Sequence, residues 1–322
     1  MKILITGATG FIGSRLTEYL LSGEHEVTCL VRKTSDIGFL EAKSVPLVFA
    51  DITDESEVKK ALSRVRPDAV FHCAARVSSE DEERLHRVNA GGTQNVCRVC
   101  LELGVKRLVY LSSVSVISGN IRSPLTDDLQ YKASNAYGRS KIEAERIAVD
   151  YRKKGLKVAV VRPCMVIGEG EPHAIARILN LVKMRRVPVL DVPGIDSRLS
   201  LVYVGNVVQA LVLALEKEEA LEGAFMVADK EVITIRKFLE ILYRDLEAGD
   251  PPVVPALLAR LLMAVPPVHK KLNRFFKDRV YDISRARDLL GYAPKVSTEE
   301  GLRRTVEWWV KEKGKGRNRA EV

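Results

Sequence analysis

The segment from Thr6 to Gly13, "TGATGFIG", directly follows the β-rich run "KILIT" and opens a helix-patterned stretch. Glycines at that spacing serve three purposes between a strand and a helix. Gly7 permits a tight turn, Gly10 lets a ligand approach the backbone, and Gly13 allows close packing of the helix. The helix N-terminus exposed there attracts a pyrophosphate. This arrangement restricts the first part of the chain to an α/β fold that binds a dinucleotide, with Gly7, Thr9, Gly10, Phe11, Ile12 and Gly13 as candidate cofactor contacts.

The pattern continues beyond the loop. "KILIT", "EVTCLV", "SVPLVF", "DAVFHCAA", "RLVYLSS" and "KVAVVRP" read as strands, and residues 12–22, 54–65, 84–103 and 137–153 carry helical spacing. Strands apolar on both faces and separated by helices predict a doubly wound parallel sheet, a Rossmann fold. After Pro163 the regularity declines, and helical patterns near 174–184, 205–217, 234–246, 256–265 and 299–311 are split by Pro/Gly-rich links. The expected organisation is a dinucleotide-binding core over residues 1–163 and a smaller C-terminal substrate lobe mainly over 164–310, with segments that return to the core. Residues 311–322, "KEKGKGRNRAEV", read as a basic, disordered tail with almost nothing to bury.

Composition excludes several classes. A chain of 322 residues with 46% apolar and 29% charged residues lies in the ordinary globular range. Cys29, Cys73, Cys97, Cys100 and Cys164 are odd in number and set in apolar segments, as expected of buried thiols in a reducing compartment. Cys97 and Cys100 have no second pair or nearby histidine to complete a metal site, so no metal is expected. The N-terminus enters a strand at once, without a basic region followed by an apolar segment and cleavage site, so a cytoplasmic location is expected. No run is long enough to cross a bilayer, and integral membrane association is not expected. The net charge of +9 sits partly in the tail; without an aromatic-interleaved groove motif, it does not point to nucleic acid.

The second strand ends near Val31, Arg32 and Lys33, where a carboxylate commonly holds the ribose diol of NAD. A guanidinium there suits a 2'-phosphate, so Arg32 and Lys33 favour NADP, with NAD as the alternative. Asp51, followed by Ile52, lies immediately beyond "VPLVFA", and its side chain can reach the adenine amino group; both are candidate contacts. "HCAA", His72 to Ala75, ends the fourth strand in small residues, so Ala74 and Ala75 let the backbone approach the cofactor. His72 itself reads as a packed, hydrogen-bonded side chain.

The candidate chemistry follows the fifth strand. "YLSSVS" brings Ser112, Ser113 and Ser115 to the carboxyl end of the sheet, where ligands of such folds bind. Tyr137 and Lys141 of "YGRSK" share one helix face by their i,i+4 spacing. A phenol near pKa 10 acts as acid or base at neutral pH only when its anion is stabilised, and a nearby ammonium does that. The expected roles are Tyr137 as general acid/base, Lys141 as electrostatic support and nicotinamide-ribose contact, and Ser113 as donor to the substrate oxygen. Ser112 and Ser115 remain alternatives for the serine.

Taken together, "TGATGFIG", "DITD" (51–54), "HCAA" (72–75), "VNAGGT" (88–93), "YLSSVS" (110–115), "YGRSK" (137–141) and "VVRPCMVIGEG" (160–170) resemble the extended short-chain dehydrogenase/reductase family, including its NAD-dependent epimerase/dehydratase and hydroxysteroid dehydrogenase-like members. "LSLVYVGNVVQA" and "YDISRARDLLGYAP" extend the resemblance to about residue 310. It implies an NAD(P)-dependent oxidoreductase, epimerase or dehydratase, often a homodimer built around a four-helix interface. It also implies that Asn89 shapes the active site and that Pro163 lies near the nicotinamide.

The chain departs from the commonest sugar-nucleotide pattern at three places. "SSVSVISG" lacks the "SSxxVYG" form, Asn206 replaces a frequently acidic residue, and Arg198 is one position from the usual diphosphate-binding arginine. The hydroxysteroid and ketone-reductase members look somewhat closer. "PALLARLLMAVPPVHKKLNRFF" sets an apolar side beside Lys270, Lys271 and Arg274; core packing is the expected reading, and a membrane interface the alternative.

The expected function is therefore NAD(P)-dependent interconversion of a small-molecule secondary alcohol and its ketone. Two alternatives are a sugar-nucleotide epimerase or dehydratase and a non-catalytic nucleotide-binding sensor or assembly protein.

Overall fold

A computed structural model describes residues 1–78, 81–171, 174–264 and 276–318. The chain divides into two units. The first comprises Met1–Cys164, Val207–Val227 and Asp282–Ala293, and the second Met165–Asn206, Ala228–Tyr281 and the chain from Pro294 onward.

The first unit is built on β1 (Lys2–Thr6), β2 (Glu26–Val31), β3 (Leu47–Phe49), β4 (Ala69–His72), β5 (Arg107–Leu111), β6 (Val158–Pro163) and a seventh strand, Ala224–Val227. From one edge the order is Ala224–Val227, β6, β5, β4, β1, β2, β3. Every pairing is parallel. This is the Rossmann sheet expected from the apolar runs, which fill both of its faces. The order reverses between β1 and β4, which ends Thr6 opposite His72 and opens a crevice at their carboxyl ends.

The seventh strand was not anticipated. "AFMV" is short and lies far along the chain, and only its pairing with β6 marks it as part of this sheet.

Helix boundaries follow local chemistry. Asp54 accepts the Glu57 N–H at 3.1 Å and starts the helix Glu55–Val65. Asn135 likewise accepts the Gly138 N–H at 2.8 Å and starts Ala136–Lys153, which carries Tyr137 and Lys141. The expected single helix over 84–103 is instead Glu82–His86, a π-helical turn at Arg87–Gly91 and Gly92–Glu102. A wider turn of this kind redirects side chains, and it buries Asn89.

The second unit has a three-stranded sheet of Val232–Thr234, Arg198–Tyr203 and Met165–Ile167, with the first pair antiparallel and the second parallel. Ile167, Leu201, Phe238, Leu242, Leu302 and Trp309 belong to its core. Asn206 is a structural tie here. Its amide donates to Asp229 at 2.7 Å and to the Val296 carbonyl at 2.8 Å, and its oxygen accepts the Lys295 N–H at 3.0 Å. The helix Thr298–Asn318 runs into the basic C-terminal segment. Lys270, Lys271 and Arg274 lie outside the described residues. No described helix is long and apolar enough to cross a membrane.

Candidate active site

The glycine loop is held by backbone contacts that leave no room for side chains. Gly7 has φ of +75°, and a Cβ there would lie 2.6 Å from the Ala74 nitrogen. At Gly13 a Cβ would lie 2.1 Å from the Gly7 carbonyl oxygen. The helix Phe11–Leu21 therefore starts directly against the turn that leaves β1. Ser14 makes the first i→i−4 bond, to the Gly10 carbonyl at 2.9 Å. The N–H groups of Phe11, Ile12 and Gly13 precede it, so the helix ladder leaves them for an anion.

A cavity of about 360 Å³ opens beside this loop. Gly7, Thr9, Gly10, Arg32, Asp51, Ile52, Ala74 and Ala75 all line it. Sequence reasoning missed Ser35, Cys73, Arg76 and Val88, which also face it. For Arg76 a signal existed, since it directly follows "HCAA". Asp51 Oδ1 accepts Thr53 N–H and O–H at 2.9 and 2.8 Å, which orients the carboxylate. These features fit a dinucleotide: donors at a helix start, a strand-end turn that only glycine fills, and a carboxylate at the far side.

Asn89 reaches this region indirectly. Its Oδ1 accepts the Arg76 N–H at 2.7 Å, and its Nδ2 donates to the Arg76 carbonyl and the Ser140 hydroxyl, both at 2.9 Å. It thereby pins the backbone of a residue that lines the cavity. His72 is buried between hydroxyls, with Nδ1 2.7 Å from Thr6 Oγ1 and Nε2 3.0 Å from Thr93 Oγ1. Burial pushes its pKa down to about 3, so the ring is neutral and structural, as its sequence setting suggested.

Ser113, Tyr137 and Lys141 also lie in this unit. Ser113 Oγ accepts the Ser115 N–H at 3.1 Å, and the Ser113 hydroxyl stands near enough to the Tyr137 phenol to favour its anion. Ser112 points elsewhere, donating to buried Glu145. Ser115 Oγ is buried, with no hydrogen-bond partner among the described residues. Gly138 makes the meeting with Tyr137 possible, because a Cβ at that position would lie 2.7 Å from the Ser115 carbonyl oxygen.

Lys141 is buried, 2.7 Å from the Leu111 carbonyl oxygen and 4.4 Å above the Tyr110 ring. Burial holds its pKa down to about 7, and the Glu145 carboxylate opposes that fall. Burial also pushes Tyr137 up to about 12 against the effect of the Ser113 hydroxyl. Pro163 ends β6, paired with Val227 of the seventh strand.

A buried charged cluster lies behind these residues. Arg162 Nε donates to both oxygens of Glu145, at 3.0 and 3.2 Å, and its Nη1 lies 3.5 Å from Asp127 Oδ1. Sequence reasoning missed it. The signal was an arginine in the otherwise apolar strand "VAVVRP" and a glutamate one turn beyond Lys141.

Residues 3–228 match the model of the NAD dependent epimerase/dehydratase family. The chain belongs to that family. One curated relative of this family member, 2-alkyl-3-oxoalkanoate reductase of Shewanella oneidensis, is 30% identical over 93% of this chain and 84% of its own. Among solved structures, UDP-glucose 4-epimerase of Thermus thermophilus, in complex with NAD, is 29% identical with a TM-score of 0.76, covering 96% of this chain and 99% of its own. UDP-glucose 4-epimerase of Thermotoga maritima, with UDP-glucose, is 25% identical with a TM-score of 0.80, covering 97% and 99%. Fold and kinship make this epimerase/dehydratase family member an enzyme of the nicotinamide-dependent oxidoreductase type.

The expectation of NADP is corrected by these comparisons, because the Thermus thermophilus structure holds NAD. Arg32 and Lys33 explain the error physically. Both are exposed, and among the described residues neither side chain has a hydrogen bond or ion pair to fix it around a phosphate. A solvated guanidinium can turn away from a ribose diol, so positive charge at a strand exit does not by itself select a 2'-phosphate.

Proposed function

We propose that this enzyme uses NAD to act on a sugar nucleotide as an epimerase or dehydratase. The placement of Ser113 near the Tyr137 phenol, with Lys141 one turn further along the same helix, supports the redox part of this reading. The two UDP-glucose 4-epimerases support the substrate class.

Gly7, Thr9, Gly10, Phe11, Ile12 and Gly13 would hold the dinucleotide phosphates. Asp51 and Ile52 would meet the adenosine, while Ala74, Ala75, Asn89 and Pro163 would border the remainder. NAD, when bound, supplies the hydride acceptor. Tyr137 takes the proton from the substrate hydroxyl as its carbon is oxidised, and returns it when the carbonyl is reduced. Ser113 donates to the reacting oxygen, and Lys141, in its protonated form, supports the phenol and the nicotinamide ribose.

The test is to denature purified enzyme, identify released nucleotide, and incubate fresh enzyme with UDP-glucose and other sugar nucleotides. Retained NAD and an epimerised or dehydrated product, without net absorbance change at 340 nm, is the expected result. Failure to convert any of them would sink the substrate assignment.

A second reading, net reduction of a ketone, rests on the 30% identical relative named a reductase. Steady consumption of NADH with 3-oxoacyl or steroid ketones would favour it.

A further inference from the structure

Two side chains of the helix Ala136–Lys153, one turn apart, grip consecutive residues at the end of β5. Lys141 Nζ donates to the Leu111 carbonyl at 2.7 Å, and Glu145 accepts the Ser112 hydroxyl. Ser113 comes next in the chain. We propose that Glu145, acting through Ser112, is a positioning residue that sets Ser113 against the phenol of Tyr137. The inference rests on the proton-transfer roles proposed above.

Glu145 is suited to the task because it cannot move. It is fully buried, Arg162 chelates both its oxygens, and Tyr131 donates to Oε1 at 2.8 Å. Arg162 is fixed in turn by the Asp127 carbonyl at 3.1 Å. A carboxylate with this many donors is a rigid acceptor, and a hydroxyl bonded to it loses its rotational freedom. Ser112 N–H also donates to the Val161 carbonyl at 2.8 Å, so backbone and side chain hold the residue at two points. Only past Ser112 does the chain leave the sheet, and Ser113 then caps the short turn Val114–Val116. An error in the Ser112 rotamer would pass directly into the placement of the Ser113 hydroxyl, and misplacement by about 1 Å can cost about 100-fold in rate.

Ser112→Ala removes the grip while leaving Glu145, Arg162 and Tyr131 bonded to one another. We expect its kcat on the converted sugar nucleotide to fall at least tenfold, with KM and retained NAD within threefold of wild type. Ser112→Cys, of nearly the same volume but a weak donor, should fall in the same direction and carries the test where the alanine variant does not fold. A kcat within twofold of wild type in either folded variant, or a loss shared equally with NAD retention, would overturn the proposal.

Amide hydrogen exchange over residues 111–116 separates this proposal from the functional reading. If the wild-type enzyme converts no sugar nucleotide, the functional reading fails. The positioning role then stands on at least tenfold faster exchange in Ser112→Ala confined to that segment, and unchanged exchange rejects it.

Discussion

Ser112 donates its hydroxyl to the buried carboxylate of Glu145, joining the exit of β5 to the helix Ala136–Lys153. That bond engages one of the three serines that "YLSSVS" supplies, while the Ser113 hydroxyl stands near the Tyr137 phenol. Ser112 is turned inward to Glu145, and among the described residues the Ser115 hydroxyl has no hydrogen-bond partner.

Tyr137→Phe removes the hydroxyl to which the proposed function assigns the proton transfer but retains the ring. Its kcat should fall by about 10²–10⁴-fold, with NAD still retained, as measured by product formation and nucleotide release. In the wild-type enzyme the phenol, pushed up to about 12, is protonated at neutral pH. The rate of substrate oxidation should therefore rise with pH toward 10, and a flat profile would contradict the assignment.

Gly138→Ala forces a methyl to within 2.7 Å of the Ser115 carbonyl oxygen and 2.9 Å of Ala133 Cβ. Backbone must move, at a cost of about 1–3 kcal/mol. A urea denaturation midpoint lowered accordingly is expected, together with a larger loss of kcat than of NAD binding.

Lys141 gives stability a predictable dependence on pH. Its pKa falls from an ordinary 10.5 to about 7 on folding, so between those values the unfolded chain binds a proton that the native chain lacks. Its contribution to stability therefore rises as pH increases from 7 toward 10.5, and its burial penalty is fully present below 7. Asp127, pushed up from 3.8 to about 7 by burial, works in the opposite sense below 7. Unfolding free energy of the wild-type enzyme minus that of Lys141→Met should grow between pH 7 and 9. A constant or falling difference would refute the assigned burial cost.

Arg162→Met leaves Glu145 and Asp127 buried beside each other without their shared cation. Breaking such a pair costs about 3–5 kcal/mol, readable in urea melts. Adding Glu145→Leu should recover part of the loss.

Arg32→Ala should leave the affinity for NAD within about threefold, because the guanidinium is exposed and unbonded. Titration of the nucleotide-free enzyme should show NAD bound more tightly than NADP, before and after the substitution.

The first half of the chain was largely legible because its signals are local. Apolar runs of strand length, capping residues such as Asp54 and Asn135, and a glycine triplet specify elements within a few residues of themselves. Tyr137 and Lys141 were legible for the same reason, since i,i+4 spacing places them on one helix face. The π-turn at Arg87–Gly91 was not, because nothing local distinguishes one extra residue in a helical turn. The NADP expectation failed because charge in a sequence says nothing about whether a side chain is held.

Sequence alone determined the parallel sheet, the glycine turn after β1 and the helix that carries Tyr137 and Lys141. Tertiary structure decided the rest. It added Ala224–Val227 to the sheet, turned Ser112 toward Glu145, and buried Lys141 over Tyr110. These outcomes depend on residues distant in the chain competing for the same donors and space, and only the packed fold brings those competitors together.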